Sequence, residues 1–288
     1  MKKKSKKKKT AIILVSVLLV AAIGVGTYFL TVDILSKKHN LITLDTSKLP
    51  EPVMTPSEDS FVQLSEVKMH YQVYSKDGCG YPLVLLHGNG GSVNSLMEAA
   101  QYLANDYTVY LIESRCHGQS SDPGEISYEL MAKDVKEFIE AMELDKPYFM
   151  GHSDGGIVGL QIASMYPDLL GAMISCGANT NPKTFKLYFT AMVKFNNMRE
   201  HDKLNDMMLT LPQFTKDDLA KITTPSYIVA GEYDIMYLSD NVFIHDCIEN
   251  SKIAIIRGAN HGSYMSHDGK QAYVLAKDFF DSLAYVER

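Results

Sequence analysis

Residues 61–65 and 67–74 alternate apolar and polar side chains, the two-residue period of half-buried strands, and predict the two arms of a β-hairpin. The period then changes. PLVLLHG (82–88) is an unbroken apolar run ending in glycine, which suits a strand covered on both faces. A helical stretch at 95–104 and a strand at 108–113 follow, and residues 127–142 place Leu130, Met131, Val135, Phe138, Ile139 and Met142 at helical spacing. YFMG (148–151) reads as a strand, 155–166 as a helix stopped by Pro167, and 171–175 as another strand. The alternation lapses over 178–219, a stretch rich in Met, Phe, Tyr, Lys and Asn. It resumes with strands at 226–231 and 252–258 and helices at 238–249 and 269–285. Strand–helix alternation of this kind predicts an α/β fold: a mostly parallel sheet flanked by helices. The break at 178–219 is then a helical lid insertion over the strands' C-terminal edge, where open α/β sheets bind ligands.

The first 60 residues read differently. Seven lysines crowd the first nine positions, and residues 11–30 then carry no charge at all. About 20 apolar residues suffice to span a bilayer. The expectation is therefore a basic cytoplasmic tail (1–10), a transmembrane signal-anchor (11–32), a Pro-containing linker (33–60) and a folded domain (61–288) outside the cell membrane. A cleaved signal peptide, with its core at 11–20 and small residues Ala22 and Gly24, is the competing expectation and would yield a secreted protein. The net charge is −6 in spite of the lysine run, so the body is acidic and nucleic acid is not an expected partner. Cys79, Cys116, Cys176 and Cys247 lack metal-site spacing; they would form two disulfides or remain buried thiols.

The candidate chemistry lies at the strand ends. GHSDGG (151–156) places Gly-x-Ser-x-Gly between a buried strand and a helix, the context in which Ser153 would sit on a tight turn with its hydroxyl exposed. A serine needs a base, and the base an orienting acid. Asp234 follows strand SYIVAG within GEYD, and His261 follows strand KIAIIRG within GANHG, so Ser, Asp and His reach one sheet edge in that order. The glycine-rich HGNGGS (87–92) would supply an oxyanion hole from the backbone N–H of Asn89, joined by that of Asp154.

With these landmarks and RCHGQS (115–120), the chain over about 61–287 resembles the α/β-hydrolase superfamily, specifically its small lid-bearing serine esterase and C–C hydrolase branch. The resemblance implies hydrolysis through an acyl-serine intermediate with no metal or organic cofactor. Ser153 would attack, His261 would act as base and then acid, and Asp234 would hold the imidazole tautomer. Serine at 153 departs from the aspartate nucleophile of epoxide hydrolases and dehalogenases, and HGNGGS departs from the HGGPG of proline iminopeptidases. Asp154 stands where an apolar residue is commoner.

The expected substrate is a small or medium apolar ester, a small molecule or lipid-like compound such as an acylglycerol. C–C hydrolysis or acyl transfer would use the same residues, and a ligand-binding or signalling module on this fold is the alternative from another class. His267 and Glu232 are the rivals to His261 and Asp234, while His87, His152, Arg115 and His117 read as bracing residues. Tyr188, Phe189, Met192, Phe195, Met198, Met207 and Met208 would line an acyl pocket or form the packing face of the lid helices.

Overall fold

A computed structural model describes residues 40–78 and 80–284 of the chain. Its strands are β1 (Leu41–Ile42), β2 (Glu58–Gln63), β3 (Lys68–Tyr74), β4 (Tyr81–Leu86), β5 (Tyr107–Ile112), β6 (Tyr148–His152), β7 (Ala172–Cys176), β8 (Ser226–Tyr233) and β9 (Ser251–Asn260). They form one sheet in the order β1-β9-β8-β7-β6-β4-β5-β3-β2. Only the β2–β3 and β3–β5 pairings are antiparallel. The alternating segment thus became the hairpin at one edge, and the continuous apolar runs became the parallel centre.

The helices are α1 (Val93–Leu103), α2 (Tyr128–Ala141), α3 (Asp154–Met165), α4 (Leu187–Glu200), α5 (Lys203–Thr210), α6 (Lys216–Leu219), α7 (Leu238–Cys247) and α8 (Gly269–Ala284). Two apolar layers cover the sheet. Met131, Val135 and Phe138 of α2 and Ile157, Val158 and Leu160 of α3 fill one. Leu96 and Leu103 of α1 and Leu275 and Phe280 of α8 fill the other. Burying a side chain of this size stabilises by roughly 1.5–3 kcal/mol, so these stripes decide which face each helix turns inward. Pro167 stands just past Tyr166, the C-cap of α3, where helix cannot continue.

Two expectations about the N-terminal part change. Residues 40–60, read as linker, hold to the domain: β1 pairs with β9, the Val53 amide donates to the Gln101 carbonyl at 2.9 Å, and Asn105 Nδ2 donates to the Glu51 carbonyl at 3.0 Å. A two-residue strand shows no periodicity from which to read it.

The membrane placement is corrected. Among the described residues no helix is long and apolar enough to cross a membrane. The longest, α8, has 16 residues and buries Ala272, Leu275, Ala276 and Phe279 against the sheet, as a domain helix does. The basic tail at 1–10 and the anchor at 11–32 lie outside the described residues. A single-pass cell-membrane protein with an extracytoplasmic domain, or its secreted alternative, therefore has no support in the fold.

Candidate active site

Ser153 follows β6 and is the N-cap of α3, with φ +56° and ψ −116°, a conformation that costs a non-glycine residue about 1–3 kcal/mol. Its amide donates to the Cys176 carbonyl at 2.7 Å, and its carbonyl accepts from the Ile157 amide at 3.0 Å. Close packing makes the turn possible. A Cβ on Gly151 would lie 2.2 Å from the Gly155 carbonyl oxygen, and one on Gly88 would lie 2.8 Å from Ser153 Cβ. Only glycine allows this approach.

The three expected residues meet. Ser153 Oγ lies 3.0 Å from His261 Nε2, and His261 Nδ1 lies 2.6 Å from Asp234 Oδ1. A carboxylate only accepts, so the proton on the ring belongs to Nδ1 and leaves Nε2 free to receive the serine proton. Asp234 is fully buried. Burial alone would raise its pKa, yet the His261 charge and hydrogen bond, with the amides of Gly231 and Ile235, hold it below the usual carboxylate value. The rivals sit elsewhere. Glu232 accepts from the Gly258 amide at 2.9 Å, and the His267 amide donates to the Gly262 carbonyl at 2.9 Å.

Asn89 stands on the loop after β4, and Asp154 on the first turn of α3. Among the described residues neither backbone amide donates to a carbonyl outside the helices and strands. Their side chains meet as well. Asn89 Nδ2 donates to Asp154 Oδ2 at 3.0 Å, and the Tyr128 hydroxyl donates to Asp154 Oδ1 at 2.9 Å. Burial pushes the Asp154 pKa up, against these two donors.

The bracing residues do brace. His87 Nδ1 donates to the Gly88 carbonyl at 2.7 Å while Nε2 accepts from the Ser114 amide at 3.2 Å; burial depresses its pKa to about 3. Arg115 grips Asp134 through Nε at 2.6 Å and Nη2 at 2.7 Å. His117 Nδ1 donates to the Arg115 carbonyl at 2.9 Å. His152 does more than brace its own strand: its Nε2 donates to the backbone carbonyl of His261 at 2.6 Å. Burial, with the His261 charge acting in the same direction, lowers its pKa to about 3.

Three partners were not read from the sequence. The buried Tyr264 hydroxyl donates to Asp234 Oδ2 at 3.3 Å, Lys186 Nζ donates to the Asp234 carbonyl at 2.7 Å, and Tyr128 contacts Asp154. Tyr264 stands three residues after His261, which is its only sequence signal.

The insertion is helical, as expected, through α4, α5 and α6. Its apolar residues divide. Met207 is buried, whereas Tyr188, Met192, Phe195 and Met198 are exposed, so the latter four form neither a pocket wall nor a packing face in this structure. Among the described residues Cys116, Cys176 and Cys247 are free thiols.

Residues 81–219 match the family described as alpha/beta hydrolase fold. The chain is 32% identical over 94 residues to esterase YbfF of Escherichia coli, covering 33% of this chain and 37% of that one. It is 31% identical over 134 residues to the sn-1-specific diacylglycerol lipase ABHD11 of Xenopus laevis, covering 44% and 43%. Among solved structures the enol-lactonase from Burkholderia xenovorans LB400 superposes with a TM-score of 0.64 at 16% identity, covering 77% of this chain and 99% of that one. The chain spans less than two thirds of the length of the curated relatives it matches.

Proposed function

Since the chain belongs to the α/β-hydrolase superfamily, we propose that it is a serine hydrolase that cleaves a carboxylic ester through an acyl-serine intermediate. One observation carries the reading: the hydrogen-bond chain Ser153–His261–Asp234, at 3.0 and 2.6 Å, built on a serine in a strained turn. Relatives named as an esterase and a diacylglycerol lipase support ester chemistry with a small or lipid-like substrate.

In this reading Ser153 Oγ attacks the ester carbonyl as His261 Nε2 takes its proton. Asp234 stays ionised, keeps the Nδ1–H tautomer and stabilises the imidazolium. The carbonyl oxygen becomes an oxyanion held by the amides of Asn89 and Asp154, each such donor contributing about 3 kcal/mol to the transition state. His261 returns the proton to the leaving alcohol. Water, activated by the same imidazole, then releases the acid. The insertion acts as a lid: Asn89 Nδ2 also donates to the Leu204 carbonyl of α5 at 3.3 Å, which ties the insertion to the oxyanion loop.

Turnover of short p-nitrophenyl esters tests the proposal. Ser153→Ala and His261→Ala should each lower kcat by about three orders of magnitude or more, and the double variant should be little worse than either. Parent-like turnover by Ser153→Ala would refute it.

A further inference from the structure

Helix α4 turns most of its large apolar residues outward, unlike a domain helix. At 3.6 residues per turn, Leu187, Tyr188, Ala191, Met192, Phe195 and Met198 fall within one arc of about 140°. That arc faces outward: Leu187 is 81% exposed, Met198 77% and Phe195 59%. The inward side holds Val193, the helix's one buried residue, with half-buried Thr190 and Asn197, and Asn197 Nδ2 donates to Asp206 of α5. Contiguous apolar surface of this kind marks a binding face.

Charge says what binds there. From Lys183 to Glu200, the end of α4, the sequence has four cations and one carboxylate, in a chain of net charge −6. Lys183, Lys194 and Arg199 are exposed, and the Arg199 guanidinium lies 5.9 Å from the Phe195 ring centroid. An apolar face rimmed by cations fits an interface of acyl chains beneath anionic headgroups. A second copy in a twofold contact would bring the cationic rims together, and the seven lysines of residues 1–9 carry the same sign as the rim.

We propose that the outer face of α4 docks on the surface of an anionic lipid aggregate. The start of α4 is stitched to the loop of Asp234: the Lys186 amide donates to the Ile235 carbonyl at 2.8 Å, and Lys186 Nζ to the Asp234 carbonyl at 2.7 Å. Docking therefore sets lipid beside the site; that this lipid supplies the substrate rests on the ester-hydrolase reading.

The chain has no tryptophan, so Phe195→Trp gives a single reporter on α4 and Phe243→Trp a control on α7, where Phe243 is 39% exposed. Both are made in the full chain with Ser153→Ala, so no lipid is consumed. On phosphatidylglycerol-containing vesicles the Phe195→Trp emission should shift to the blue and be quenched by brominated acyl chains, while the Phe243→Trp emission stays put. The control matters because the lysines of residues 1–9 could bring the whole chain to such vesicles. Adding Met192→Glu and Met198→Glu should abolish the shift, and pure phosphatidylcholine should not produce it. The proposal is overturned by an unmoved Phe195→Trp, by equal shifts at both reporters, or by an equal shift on phosphatidylcholine. It is also overturned if the reporter is already blue-shifted without lipid, through a second copy when the effect follows protein concentration and through the chain itself when it does not. Soluble-ester turnover of the protein with native Ser153 is read separately: its absence would remove the hydrolase reading and leave docking standing.

Discussion

Helices α2 and α4 have 14 residues each and opposite relations to the fold. In α2, Tyr128, Met131, Val135, Phe138 and Ile139 share a buried stripe, and Ser127 caps the first turn by accepting from the Leu130 amide at 3.2 Å. In α4 most of the apolar residues face outward, Val193 alone is buried, and Lys186 gives no side-chain cap. Similar hydrophobic content thus does different work. In α2 it holds the layer that supports α3 and the Ser153 turn; in α4 it is left for something outside the domain.

Mutation should separate the two helices. Phe138→Ala should lower stability by about 3–5 kcal/mol in urea unfolding, whereas Phe195→Ala should change it by less than about 0.5 kcal/mol. Comparable losses would erase the distinction. Tyr128→Phe comes next. It removes one of two donors to the buried Asp154 carboxylate, an expected loss of about 1–3 kcal/mol, read in the same assay.

Acid extends the contrast, because the core side of the site buries neutral histidines and α4 buries no titratable group. The folded-state pKa values of His87 and His152 are depressed to about 3 from the ordinary 6.5. Between those values the unfolded chain binds protons that the folded protein refuses. Stability therefore falls as pH drops below 6.5, by up to about 1.4 kcal/mol per pH unit for each histidine. Urea midpoints measured at pH 7 and pH 5 should show the fall, and His152→Gln should flatten it. A midpoint unchanged across that range would contradict the burial of these rings. The smallest effect belongs to the cap: Ser127→Ala should destabilise by about 1 kcal/mol, detectable as a shift in Tm.

Much of this was legible in the sequence for identifiable reasons. The parallel centre announced itself through unbroken runs such as PLVLLHG, since strands covered on both faces admit no polar alternation. Ser153, Asp234 and His261 were legible because each follows a readable strand, and parallel strands deliver their C-terminal ends to one edge. Tyr264 and Lys186 were not, because their partnership with Asp234 depends on how two loops fold back, which no period encodes. The direction in which α4 turns its Met and aromatic residues was equally hidden. Helical spacing defines a stripe but not what the stripe faces. Residues 40–60 were misread for the opposite reason: prolines and polar residues suggest a free linker, and their hydrogen bonds to α1 and β9 run through backbone that side-chain patterns do not report.

The central claim is that Ser153 is a competent nucleophile. A fluorophosphonate probe followed by peptide mass spectrometry tests it most directly. The account predicts a single covalent adduct on Ser153, lost in Ser153→Ala and strongly slowed in His261→Ala. Folded parent protein that stays unlabelled, or an adduct on another residue that persists in Ser153→Ala, would contradict it.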